Sequence, residues 1–221
     1  MIPNRFPHAQ IPDLVATHHD WIVRTRARIL AAAPPSPPVL EIPPSIELPL
    51  TGEVWTIRSE PPVQRPTSPK PTTVKPPPGT QLRLFTPSPV VIIHHHPDDV
   101  DAGIRALHTW LRDRADHLLP PLLGQVAVDT GLNPKRVVIR SQRTRWASCS
   151  ARGTVTLNFR LLLLPPDLLR HLFIHELAHL KQMNHSSRFW ALVARFDPEW
   201  RGHRAELRAF ERDLPAWARF G

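Results

Sequence analysis

The sequence predicts an α+β fold with helices and a small antiparallel sheet in separate runs. Three observations carry this. Residues 98–221 read in the order helix, hairpin, helix, helix, without the strand–helix alternation of a parallel sheet. Of the 28 prolines, 21 lie in residues 1–97 and 7 in residues 98–221, so composition divides the chain near residue 98. The chain has 221 residues and is 41% hydrophobic, enough to bury a core, yet no apolar run approaches the ~20 residues of a membrane span.

The expected organisation is a Pro-rich N-terminal region, 1–97, with a short helix and a small β element, followed by a globular domain, 98–221. Asp13 can cap the first helix, and Leu14, Val15, Trp21, Ile22, Ile29 and Leu30 form its apolar stripe. That helix must stop by Ala33, because Pro34, Pro35, Pro37 and Pro38 cannot continue it. Ile46–Leu50 and Val54–Arg58 flank a Thr51-Gly52 turn and read as a strand pair. Residues 61–80 hold eight prolines and read as an extended linker. Leu82, Leu84 and Phe85, then Val90–Ile93, suggest further short strands.

Asp99 or Asp101 opens a helix that Pro120-Pro121 should kink or split, with a second piece running to Gly131. Val137–Ile139 and Thr154–Phe159 read as strands joined through a turn at Ala151-Arg152-Gly153. Pro165-Pro166-Asp167 starts a helix containing Leu168, Leu169, Leu172, Phe173, His175, Glu176 and His179. A turn near Asn184 leads to a helix from Ser186 or Ser187 to Phe196, and Asp197-Pro198 starts the last helix.

Residues 175–179, His-Glu-Leu-Ala-His, carry the chemistry. On a helix, positions i and i+4 share a face, so two imidazoles can meet one zinc ion. Glu176, offset by one residue, can act as general base on a water that the ion activates. A catalytic zinc usually has three protein ligands, and His185 leads as the third. A continuous helix would turn His185 about 240° away from His179, so His185 can ligate only if the helix ends first. Asn184 offers a left-handed residue for that ending. Glu199, Glu206, Glu211 and Cys149 are competing third ligands. The remaining histidines, His18-His19 and His94–His96 among them, read as surface residues.

The His spacing also occurs in metzincins, but Gln182 stands where those have Gly, and no Met follows His185. Over residues 100–215 the chain more closely resembles the YgjP-like zinc metallopeptidases, relatives of the SprT-like and WLM peptidases. The resemblance rests on Arg145-Trp146-Ala147-Ser148-Cys149-Ser150, Gly153, Leu157-Asn158-Phe159-Arg160-Leu161, Pro165-Pro166, His175 to His179, Asn184-His185-Ser186 and Phe189-Trp190. Ala147 departs from the family's usual Gly. The resemblance implies a zincin-like fold, zinc on His175, His179 and His185, Glu176 as general base, and a hairpin carrying Trp146 beside the active-site helix. A cation or donor should steady the oxyanion. With no Tyr in the chain, Arg145, Arg201 and His203 are the candidates. Trp146 is either a core anchor or a substrate platform, and Asn158 is a further substrate-binding candidate.

Net charge is +9, with 24 Arg against 4 Lys. The excess is concentrated in residues 130–166, which contain no carboxylate but hold Lys135, Arg136, Arg140, Arg143, Arg145, Arg152 and Arg160. Such a stretch suits an acidic peptide or nucleic acid phosphates, or simply a soluble sheet edge. The expected protein is therefore a cytoplasmic zinc peptidase acting on a peptide or protein. Its rivals are a SprT-like protease acting on proteins bound to nucleic acid, and a nucleic-acid-binding protein with structural zinc. The single Cys excludes a cysteine zinc module, and the N-terminus lacks the apolar run of a secretory signal.

Overall fold

The computed structural model describes residues 11–32, 40–61, 72–74, 89–142 and 144–219. Two compact units divide between Val39 and Leu40. The first holds α1 (Ile11–Thr17) and α2 (His19–Ala32). Asp13 lies inside the first turn of α1 rather than capping it. Leu14, Val15, Trp21, Ile22 and Val23 are exposed. The helix ends where expected, ahead of the proline cluster.

The second unit opens with β1 (Ser45–Leu48) and β2 (Glu53–Glu60), an antiparallel pair around Gly52, whose φ of 64° suits a residue without a Cβ. β3 (Thr72–Val74) and β4 (Val90–His94) complete a sheet of order β1-β2-β4-β3, in which β4 runs parallel to β2 and antiparallel to β3. The stretch read as a linker thus contains a strand. The expected strand around Leu82–Phe85 lies outside the described residues. Alternate positions Ile46, Leu48, Trp55, Ile57, Val91 and Ile93 are buried, so one face of the sheet builds the core.

That face meets α3 (Val100–Thr130), capped by Asp99, whose side chain accepts from the Ala102 N–H at 2.8 Å. The indoles of Trp55 and Trp110 meet edge to face, 5.1 Å apart, with the Arg114 guanidinium 4.7 Å above Trp55. Residues 40–61 and 89–97, expected in a region set apart at residue 98, therefore share one core with α3 and the later elements of the second unit. α3 also corrects the expectation at Pro120-Pro121. It runs unbroken for 31 residues and ends at Gly131, whose φ is 71°. The prolines remove two helical N–H donors. Buried Leu107, Leu111, Ala115 and Leu119 before them, and Leu123, Val126 and Ala127 after them, keep both halves on the same core.

The second sheet consists of β5 (Arg136–Arg140), β6 (Ala147–Cys149) and β7 (Thr154–Asn158) in the order β5-β7-β6. It is mixed, not antiparallel. The turn at residues 150–153 joins β6 to β7, while β5 lies parallel to the other edge of β7. A 3₁₀ turn (Phe159–Leu163) leads to α4 (Pro166–Ala178), with Pro166 in its first turn. Leu168, Leu169, Leu172, Phe173, Ile174, Leu177 and Ala178 are all buried, so α4 runs through the core. It packs against β6, α3, α5 (Ser187–Phe196) and α6 (Trp200–Asp213). The last helix is α7 (Ala216–Arg219). Among the described residues, no helix is long and apolar enough to cross a membrane.

Candidate metal centre

His175 and Glu176 sit in the last turn of α4, and His179 stands at its C-terminal cap. The helix then stops. Leu180 N–H and Lys181 N–H each donate three residues back, to Leu177 and Ala178, both at 3.0 Å, tightening the final turn. The chain swings round and brings His185 back over the helix end. Its Nε2 lies 3.1 Å from Nε2 of His175. The helix therefore ends before residue 185, as ligation by His185 requires, but not through Asn184. Among the described residues, no residue other than glycine has positive φ.

Ring nitrogens of His175, His179 and His185 all lie within 4.8 Å of one another. His179 Nδ1 donates to the Gln182 carbonyl at 3.0 Å, which leaves its Nε2 lone pair available. Burial, then the neighbouring His179 and His185, push His175 down to about 3, so this ring is neutral. His179 is also lowered, chiefly by burial. Three imidazole nitrogens within one ion's reach are the donor set a borderline-soft divalent metal takes.

Phe189, 0% exposed, underlies all three rings at 4.6–4.9 Å between centroids. Trp190 stacks on His185 and on Trp200, and Arg204 and Arg201 lie over Trp190 and Trp200 at 4.9 and 4.5 Å. Glu176 is 5% exposed, and its Oε2 finds no hydrogen-bond partner among the described residues. Burial raises its carboxyl to about 7, opposed by Arg145 and by a backbone hydrogen bond at Cys149. A buried carboxylate oxygen without a partner, next to three converging imidazoles, marks a position for a proton-bearing group.

The sequence model described as YgjP-like, metallopeptidase domain, matches residues 1–210. The chain belongs to the YgjP-like metallopeptidase family. Solved structures similar to it include two metallopeptidase zymogens. Abylysin from Pyrococcus abyssi is 31% identical over 44% of this chain and 97% of its own, with a TM-score of 0.39. Jannalysin from Methanocaldococcus jannaschii is 20% identical over 42% and 95%, with a TM-score of 0.37. No curated protein matches significantly. A YgjP-like metallopeptidase uses a metal ion and acts on a peptide or protein, and the histidine cluster is a group able to hold that ion.

The other expected site residues of this YgjP-like chain are scattered. Arg145 is exposed and close enough for its charge to act on Glu176. Trp146 is a core residue, packed on Phe210 at 6.2 Å and beneath Arg160 at 5.5 Å. Asn158 is 0% exposed and cannot touch substrate. Its Nδ2 donates to the Gln142 and Arg145 carbonyls at 2.7 and 2.9 Å, and its Oδ1 accepts from the Arg160 N–H at 3.1 Å. It shapes the loop that carries Arg145. Arg201 is exposed over Trp200. His203 donates from Nδ1 to Asp197 at 3.0 Å. Cys149 is no thiolate, since burial, then Glu176, push its thiol up to about 11. Glu199, Glu206 and Glu211 stand outside the imidazole cluster. Of the basic stretch, Arg160 turns inward, and Arg143 lies outside the described residues.

Sequence reading missed three buried histidines, His95, His108 and His171. His171 precedes His175 by four residues, a helical spacing that could have exposed it. Its Nδ1 donates to Asp197 at 2.6 Å, so Asp197 bridges His171 and His203. They line a cavity of about 300 Å³ with Asp167, Arg170 and Glu199.

Proposed function

We propose that the protein is a zinc metallopeptidase of the HExxH type, with zinc held by His175, His179 and His185. The observation that carries this reading is the convergence of the three ring nitrogens, together with Oε2 of Glu176, which is buried without a hydrogen-bond partner among the described residues. Bound zinc supplies a lowered pKa for water and polarisation of the scissile carbonyl. Glu176 takes the proton of the attacking water at Oε2 and hands it to the leaving amine. The Cys149 backbone orients the carboxylate. Arg145, exposed and in electrostatic contact with Glu176, steadies the oxyanion. Phe189 excludes water beneath the imidazoles and keeps their spacing.

Glu176→Gln tests this. Metal analysis should find about one zinc per chain in wild type and variant alike, while kcat/KM on an unfolded protein falls at least ~100-fold. His185→Ala should lose zinc. Wild-type hydrolysis by Glu176→Gln would refute the assignment.

A further inference from the structure

A second cleft, about 380 Å³, opens directly against His179. Three separate segments wall it: the turn after α3, the β6–β7 turn, and the loop after α4. Each brings one cation, Lys135, Arg152 and Lys181 respectively, and Asn133 and Ser150 add neutral polar groups. No carboxylate lines it. None of the three cations forms an ion pair with a described residue.

The cleft has a built seat for Lys135. Gly153 has φ of 81°, and a Cβ there would stand 3.2 Å from Cγ of Lys135. The Lys135 N–H donates to the Gly153 carbonyl at 2.8 Å. The bare glycine thus lets the lysine stem lie across the β6–β7 turn beside Arg152. Three positive charges around one concavity, with no ion-pair partner among the described residues, concentrate positive potential there.

We infer that this cleft receives a carboxylate of the peptide substrate, placing an acidic group within a few residues of the scissile bond. The inference rests on the peptidase reading above. An extended peptide advances about 3.3 Å per residue, so a group held beside His179 lies close to the bond that Glu176 attacks. Arg152 can pair a carboxylate through two parallel N–H donors, while the two lysines act as point charges. The carboxylate has two possible sources, an Asp or Glu side chain or the substrate's C-terminus.

The test uses the full zinc-loaded chain and quenched fluorescent peptides of one sequence. One series carries Glu or Gln at each position around the scissile bond, with an amidated C-terminus. A second pair is neutral, with a free or amidated C-terminus. The expected result is kcat/KM about 10-fold higher for Glu at one position, or for the free C-terminus, at ~50 mM salt, and shrinking as salt rises. The two series tell the sources apart. In Arg152→Glu/Lys181→Glu the ratio should fall to one. In Arg208→Glu/Arg212→Glu, exposed on α6 with the same charge change, it should persist. Labelled Glu and Gln peptides titrated into Glu176→Gln read binding without hydrolysis. Selective binding of the Glu peptide with no hydrolysis of any peptide by the wild-type chain would overturn the peptidase reading and leave the cleft assignment standing. Equal cleavage and equal binding of Glu and Gln peptides, and of both C-termini, would overturn the assignment. So would an oligonucleotide whose binding is lost in the cleft variant while both peptides are cleaved alike.

Discussion

The imidazole of His185 lies nearly parallel to the indole of Trp190, 5.7 Å between centroids and 23° between planes. His185 sits on an exposed loop, beyond the helix that carries His175, so its position rests on this stack together with the contact on Phe189. Trp190 is in turn stacked on Trp200 at 4.2 Å, which ties the loop to α5 and α6. Trp190→Ala should weaken metal binding by about 10-fold or more in competition with a chelator, and Trp190→Phe should recover most of it. Unchanged affinity in the alanine variant would mean that His185 is held by other contacts.

Asn158 ties the end of β7 to the loop between β5 and β6. Its side chain holds the Gln142 and Arg145 carbonyls and the Arg160 N–H from a site with no exposure. Asn158→Ala leaves those groups to be resolvated or unpaired. Denaturant unfolding should show a loss of about 2–4 kcal/mol. A loss below ~0.5 kcal/mol would show that the loop does not rely on it.

His108 links α3 to α7 by donating from Nε2 to the Trp217 carbonyl at 2.7 Å. Burial lowers its pKa from 6.5, and the bond to Trp217 offsets this only in part. The folded ring therefore resists a proton that the unfolded chain accepts. The contribution to stability is complete above pH 6.5 and declines as pH falls below it, by at most about 1.4 kcal/mol per pH unit. His108→Gln keeps an N–H donor but cannot titrate. Between pH 7.5 and 5 the unfolding free energy of wild type should fall more steeply than that of the variant. Parallel curves would contradict this.

Cys149 is the only cysteine, and its thiol is pushed up to about 11. On the order of one thiol in a thousand is ionised at pH 8. Reaction with Ellman's reagent should be about 100-fold slower in the native protein than in guanidinium. Equal rates would place the thiolate in an open, unperturbed setting.

Helix periodicity made His175, Glu176 and His179 legible, because residues four apart on any α-helix share a face. His185 was legible conditionally, since its ligation demanded a helix end that the structure supplies at Ala178. The pairing of His171 with Asp197 was not, because 26 residues separate them and the gap closes only where the end of α5 packs back on α4. Proline misled twice. Pro120-Pro121 weakens a helix locally, but buried leucines on both sides hold it together. The proline-rich stretch around β3 still contributes a short sheet edge.

The α+β order and the helix that sets His175 and His179 on one face were written in the chain's local pattern. They arise from helix and strand geometry, which a few neighbouring residues dictate. Packing decided the parallel place of β5, the shared core of residues 40–61 with α3, and the inward burial of Trp146 and Asn158. It also gathered Lys135, Arg152 and Lys181 from three segments into one cleft. Those relationships depend on which surfaces exclude water together, and that is settled only when distant elements meet.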